Sequence, residues 1–270
     1  MAKEIPLHEK QVVFKFPDKD NFDTQLDLTY RETMGYPLKM DVYIPGNLPE
    51  GERAPGVLFI HGGPISPEFR PQLKNWGQYL SYGELIANSG LVCFTFNHRY
   101  HEYSQLEESS SDVGAAIQYI RENALSFKLD PARICLWAIS GGGSQLSLVL
   151  HEFVSSIRCV VAYYTILDLR QIQEAVNALS SEVLEKAALE THLRLRHFED
   201  IPLFIARSGL DDPELNKTID CFVSKALKSN IQLDLANHAH GQHAFDILDD
   251  NNRSREIIVS TIRYIKSNLQ

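Results

Sequence analysis

The chain has 270 residues, 44% of them hydrophobic, and a net charge of −9 at neutral pH. That length and apolar content allow one large core. The acidic balance and the lack of a basic run exclude nucleic acid as the main partner, because such binding needs clustered Lys and Arg. No stretch approaches the roughly 20 apolar residues of a membrane helix, so no membrane partner is expected.

The opening, Met1-Ala2-Lys3-Glu4-Ile5-Pro6, is charged rather than apolar, so no signal peptide is expected. Val12, Phe14 and Phe16 alternate, as do Met40, Val42 and Ile44. Such alternation predicts two strands with one wet face, antiparallel pieces at a sheet margin. From Gly56 the texture changes to unbroken apolar runs: Val57 to Ile60, Leu91 to Phe96, Ile134 to Ile139, Cys159 to Tyr163 and Leu203 to Ala206. Strands apolar on both faces belong in a parallel sheet covered by helices on either side. Helices are predicted between them over Trp76–Asn88, Asp112–Ala124 and Gly141–Phe153, and at the end of the chain, where Ile258, Ile262 and Ile265 share a face. The alternation predicts a single α/β domain over 1–270 with a mostly parallel, doubly wound sheet.

The link between Tyr163 and Pro202 is far longer than the usual 2–6 residues. Its stripes, Ile172, Ala175, Val176 and Leu179, then Leu184, Ala187 and Ala188, read as helices. Residues 165–200 are therefore expected to form a helical cap over the site, with an extra helix pair on the sheet edge as the alternative. Of the cysteines, Cys93, Cys135, Cys159 and Cys221, three fall inside apolar runs and none forms a C-x-x-C pair. They are read as buried thiols in a reducing cytoplasm.

The sharpest local feature is Leu136-Trp137-Ala138-Ile139-Ser140-Gly141-Gly142-Gly143, a buried strand running straight into a helix. A serine at that junction needs small neighbours two positions either side, here Ala138 and Gly142. The pattern resembles the nucleophile elbow G-x-S-x-G, with alanine for the first glycine. Alone it also fits a glycine-rich helix start or an anion site at a helix N-terminus. His61-Gly62-Gly63-Pro64 closes the first fully buried strand and supplies the context. Acyl transfer builds charge on a carbonyl oxygen, and preorganised N–H groups stabilise it. Gly141, after the nucleophile, and Gly63 are the expected oxyanion donors; Pro64 has no N–H to give. His61 is expected to shape this loop.

His243, in Gly241-Gln242-His243-Ala244-Phe245 after the run Ile231 to Ala236, is the expected general base. His238 and His240 are read as exposed loop residues. A metal site of these histidines is rejected for want of acidic or cysteine partners at ligand spacing, and no cofactor is expected. The acid should follow the preceding strand, where Asp211 and Asp212 both stand. Pro213 favours the first helical position, and Leu215, Ile219, Phe222 and Ala226 recur at helical spacing. Asp212 is then the helix cap, which leaves Asp211 to orient His243. Serine, acid, histidine is the chain order of the α/β-hydrolases.

From about Pro37 onward the chain resembles the serine esterase and dienelactone-hydrolase-like branch of the α/β-hydrolase superfamily. The resemblance is carried by His61-Gly62-Gly63-Pro64, Asn97-His98-Arg99-Tyr100, Asp112-Val113 through Tyr119-Ile120-Arg121, Asp130-Pro131-Ala132-Arg133-Ile134, Ser140-Gly141-Gly142, the acidic turn, and Gly241-x-His243-x-Phe245. Dienelactone hydrolases use a cysteine nucleophile, and here the elbow carries serine. The resemblance implies a metal-independent carboxylic ester hydrolase acting on a small-molecule ester through an acyl-enzyme. A homodimer is one assembly the sequence allows, and it leaves the oligomeric state open. A peptidase or amidase with the same residues, or a non-catalytic binding protein on this scaffold, is the alternative. Arg99, Asp112 and Arg133 are read as structural ion-pair or capping residues.

Overall fold

Apolar runs without a polar side become strands that need cover on both faces, and this requirement organises the chain. The structure is a computed structural model that describes residues 5–17, 21–66, 73–194 and 200–270. The opening four residues and residues 195–199 of the 165–200 segment lie outside the described residues.

Eight strands form one sheet: β1 (Phe22–Arg31), β2 (Leu38–Pro45), β3 (Ala54–Ile60), β4 (Val92–Phe96), β5 (Leu129–Ile139), β6 (Ile157–Tyr163), β7 (Leu203–Ser208) and β8 (Leu233–His238). Their spatial order is β1-β2-β4-β3-β5-β6-β7-β8. The β1–β2 and β2–β4 pairs are antiparallel, and the remaining pairs are parallel. Along β5 successive side chains alternate between two cores. Ile134, Leu136 and Ala138 face α2 (Leu106–Glu122), α3 (Gly143–Phe153) and α6 (Pro213–Lys228). Cys135, Trp137 and Ile139 face α1 (Gly77–Asn88) and α8 (Asn252–Asn268). The chain steps from β3 to β4 on one side and returns to β5 on the other, so the carboxyl ends of β3 and β5 flank the reversal in strand order where open α/β sheets bind ligands.

Two expectations change. Val12, Phe14 and Phe16 form no strand; the sheet edge they would need is occupied by β1. Their segment instead lies along the helices, with the Val12 N–H donating to Ser81 Oγ (2.9 Å) and the Val13 N–H to the Asp246 carbonyl (2.8 Å). β2 has no wet face, because it sits inside the sheet between β1 and β4, and Met40, Val42 and Ile44 are buried together with Asp41 and Tyr43. The 165–200 segment contains two short helices, α4 (Gln173–Ala178) and α5 (Ser181–Ala187). Leu184, Ala187 and Ala188 are buried, while Val176 faces solvent. Ser147 Oγ of α3 donates to the Lys186 carbonyl at 2.5 Å, tying α5 to the helix that follows Ser140. The last short helix, α7, spans Phe245–Leu248.

Candidate active site

Every parallel strand ends at the same edge, so the sheet alone brings Ile60, Ile139 and Ser208 to one rim. Ser140 leaves β5 with φ of +53°, a left-handed conformation that costs a non-glycine residue energy. Its carbonyl accepts the Ile166 N–H at 3.2 Å and the Thr165 hydroxyl, which holds the turn in place. The glycines after it are required by close approach. A Cβ on Gly142 would stand 2.5 Å from the Ile60 carbonyl oxygen, and one on Gly141 would collide with the Gly63 carbonyl oxygen. The elbow and the His61–Pro64 loop are therefore in backbone contact. On its other side Gly63 lies against Tyr100, where a Cβ would approach the ring to 2.6 Å.

Ser140 Oγ is 2.9 Å from His243 Nε2, and His243 Nδ1 is 2.7 Å from Asp211 Oδ2. Two neighbouring turns set this alignment. The Gly209 N–H and Gly241 N–H both donate to the His238 carbonyl, at 2.8 and 2.9 Å, and the Leu210 N–H donates to the Gly241 carbonyl at 2.9 Å. The side chain of Asp211 is 4% exposed, whereas Asp212 is exposed and accepts the Glu214 N–H at 2.7 Å as the cap of α6. Pro213 occupies the first turn of that helix. The geometry thus separates the two aspartates: one faces the imidazole, the other the helix.

His61 and His98 stack with ring centroids 3.5 Å apart and 8° between planes, both buried. His61 Nδ1 donates to the Gly62 carbonyl at 2.8 Å, and its Nε2 accepts the His98 N–H at 3.4 Å. These bonds suit a neutral ring, and burial pushes His61 down to about 4 and His98 well below its ordinary value. Arg99 grips buried Asp112 through Nε (2.8 Å) and Nη2 (2.7 Å), and Arg133 pairs with Asp130 at 2.7 Å, both away from the serine.

His238 corrects its reading as a loop residue. The β7–β8 register runs on to Ser208↔His238, which turns this side chain inward, where Nε2 lies 3.2 Å from Ser254 Oγ. His240 is exposed. Among the described residues no group of three or more His, Cys, Asp or Glu side chains is arranged to hold a metal ion.

Sequence reasoning missed Tyr164, Gln78 and Asp246. The Tyr164 ring stands edge-on to His243 at 4.8 Å, and its hydroxyl donates to Asp246 Oδ1 at 2.6 Å. Tyr82 (2.8 Å) and Gln78 Nε2 (2.9 Å) donate to Asp246 Oδ2. Burial raises Asp246 above its ordinary value, against the pull of these donors. The available signal was position: Tyr164 directly follows β6 at the same rim. A cavity of about 200 Å³ opens beside Ser140 and His243, walled largely by apolar side chains. Among the described residues none of its lining comes from 165–200.

Residues 40–199 match the sequence model of the BD-FAE family. Among solved structures, a bacterial heroin esterase superposes with a TM-score of 0.73 at 16% identity, covering 93% of this chain and 84% of that one. A truncated form of a carbohydrate esterase from gut microbiota gives 0.70 at 14% identity, covering 94% of this chain and all of the other. In sequence, a medium-chain fatty acyl-CoA hydrolase precursor of Anas platyrhynchos is 28% identical over 200 residues, 63% of this chain and 34% of its own length. The chain thus spans about a third of that curated relative. No helix among the described residues is long and apolar enough to cross a membrane.

Proposed function

The chain belongs to the BD-FAE family and has the α/β-hydrolase fold, and on that premise we propose that it is a serine esterase cleaving small carboxylic esters through an acyl-enzyme. The observation that carries this reading is the unbroken relay Asp211–His243–Ser140, two hydrogen bonds of 2.7 and 2.9 Å ending on a serine at positive φ. With Asp211 accepting the Nδ1 proton, the neutral imidazole presents Nε2 as base to the Ser140 hydroxyl. As Oγ attacks the ester carbonyl, His243 takes its proton and Asp211 steadies the imidazolium. The oxygen that gains charge is received by the N–H groups of Gly141 and Gly63. Collapse of the tetrahedral species expels the alcohol, which takes the proton from His243, and water repeats the sequence against the acyl group.

On this reading the described residues act as one domain around one sheet, the described part of 165–200 included. The reducing cytoplasm is the compartment that fits four unpaired cysteines, three of them buried. The test is fluorophosphonate labelling followed by peptide mapping, run beside a rate panel of p-nitrophenyl esters and aminoacyl amides. Labelling confined to Ser140 with turnover of esters over amides is expected. An unlabelled Ser140, or amides cleaved faster than esters, overturns the reading.

A further inference from the structure

The wall that closes the cavity at Ser140 comes from the beginning of the described chain. Leu7 sits on a short 3-10 turn, Leu7–Glu9, and lines the cavity together with Ile65, Leu73, Trp76, Ala244 and Ile247. The turn is fixed from below. The Glu9 N–H donates to the Pro6 carbonyl (3.0 Å) and the Lys10 N–H to the Leu7 carbonyl (3.2 Å). The Glu9 and Lys10 carbonyl oxygens lie so close to Gly77, the first residue of α1, that a Cβ there would come within 2.6 and 2.7 Å of them. Beyond the turn, Val12 is bonded to α1 and Val13 to α7. The His8 ring leans on Trp76, with centroids 6.4 Å apart. Leu7 itself is 52% exposed, an apolar side chain half in water at the mouth of an apolar cavity, where a bound apolar group would cover it.

We infer that Leu7 is a specificity-determining residue: it closes the far wall of the cavity and limits the apolar arm of the ester to a small ring or a short chain. The inference rests on the esterase reading and adds the size class of its substrate. The size follows from volume. The cavity is about 200 Å³, and an apolar protein cavity of about 150 Å³ accepts benzene, so an arm of about six carbons fills it. Longer arms must pass Leu7. Trp76, which lines the same cavity, is continuous with α1, which carries Gln78 and Tyr79 into it, so the wall and the floor share one support.

The test uses the full chain and its variants Leu7→Ala and Leu7→Trp, with kcat and KM measured over p-nitrophenyl esters from acetate to decanoate and over alkyl acetates of rising length. Because Leu7 is half exposed and bears no buried load, both variants should fold. Leu7→Ala should raise the long-to-short ratio of kcat/KM by roughly three- to tenfold in one of the two series, mainly through KM. Leu7→Trp should lower it by a similar factor, and Leu184→Val, in the 165–200 segment, should leave it unchanged. Superimposable profiles for parent and both Leu7 variants, in a parent that turns over esters, overturn the inference and leave the esterase reading standing. A parent that hydrolyses no ester and takes no fluorophosphonate at Ser140 removes both, and the labelling distinguishes that case.

Discussion

At Ser140 the same backbone angle that exposes the hydroxyl also stores energy. A φ of +53° is costly for any residue with a Cβ, by about 1 kcal/mol or more. Ser140→Ala keeps that cost and removes the proposed nucleophile, so turnover should fall to the residual that binding and the proposed oxyanion donors supply, roughly 10³- to 10⁴-fold over water. Ser140→Gly removes both, and should melt higher than Ser140→Ala by about 1 kcal/mol in denaturant titration. Equal stability of the two variants would show that the elbow holds no strain. The neighbouring aspartates make a second residue-scale test. Asp211→Asn should lower kcat by about 10⁴ with the fold intact, since an amide no longer fixes the Nδ1–H tautomer. Asp212→Ala should leave kcat alone and cost about 1 kcal/mol, the worth of a helix cap. A silent Asp211→Asn beside an inactive Asp212→Ala would move the acid by one residue. Pro213 was enough to place Asp212 as the helix cap in advance, because proline after aspartate is a local signal. Tyr164, Gln78 and Asp246 left no such trace. Their meeting depends on α1, β6 and α7 packing together, which no spacing in the sequence encodes.

At the scale of elements, the parallel strands were legible because burial on both faces writes an unbroken apolar run, as in Val57 to Ile60. β1 was not, because an edge strand reading Phe-Asp-Thr-Gln-Leu-Asp-Leu-Thr-Tyr-Arg is polar and mostly exposed or half-buried, and a positive φ at Asp27 interrupts it. β8 was read short of its true end, since the polar Asn237 and His238 continue a register set only by β7. The loop after β3 carries a consequence for pH. His61 is held at about 4, below its ordinary value, chiefly by burial, and His98 is also depressed. The unfolded chain therefore binds these protons first, and stability must fall as pH drops from about 6.5 toward 4. For His61 alone the loss reaches about 3 kcal/mol at the acid end. Urea midpoints taken between pH 7.5 and 4.5 should decline, and His61→Asn should make the decline shallower. Parallel curves for parent and variant would remove His61 as the cause.

At the scale of the molecule, one sheet runs beneath every part of the site, and each face of it is sealed by its own core. Among the described residues of 165–200, particular side chains pack on that arrangement. Leu184 is 7% exposed and belongs to the same core as α2, α3 and β5, and Arg170 ties the segment together by pairing with Asp168 and Glu185 at 2.8 and 2.6 Å. If the segment and the sheet form one cooperative unit, a cavity cut in the segment must weaken the whole. Leu184→Ala should cost about 2 to 3 kcal/mol, toward the lower part of the range for leucine truncation because the site is near the rim of the core. The two tryptophans make this readable. Trp137 is buried at the centre of the sheet, stacked on Phe59 at 4.8 Å, while Trp76 stands at the mouth of the cavity. With Trp76→Phe and Trp137→Phe as single-tryptophan backgrounds, fluorescence from the remaining ring reports the core or the site alone. Trp137→Phe, which truncates a buried ring, should unfold at a lower denaturant concentration than Trp76→Phe, and Leu184→Ala should lower the two midpoints by the same amount. A midpoint that shifts at Trp76 and stays fixed at Trp137 would mean that the segment and the site unfold apart from the sheet, and that the chain holds two units where one sheet predicts one.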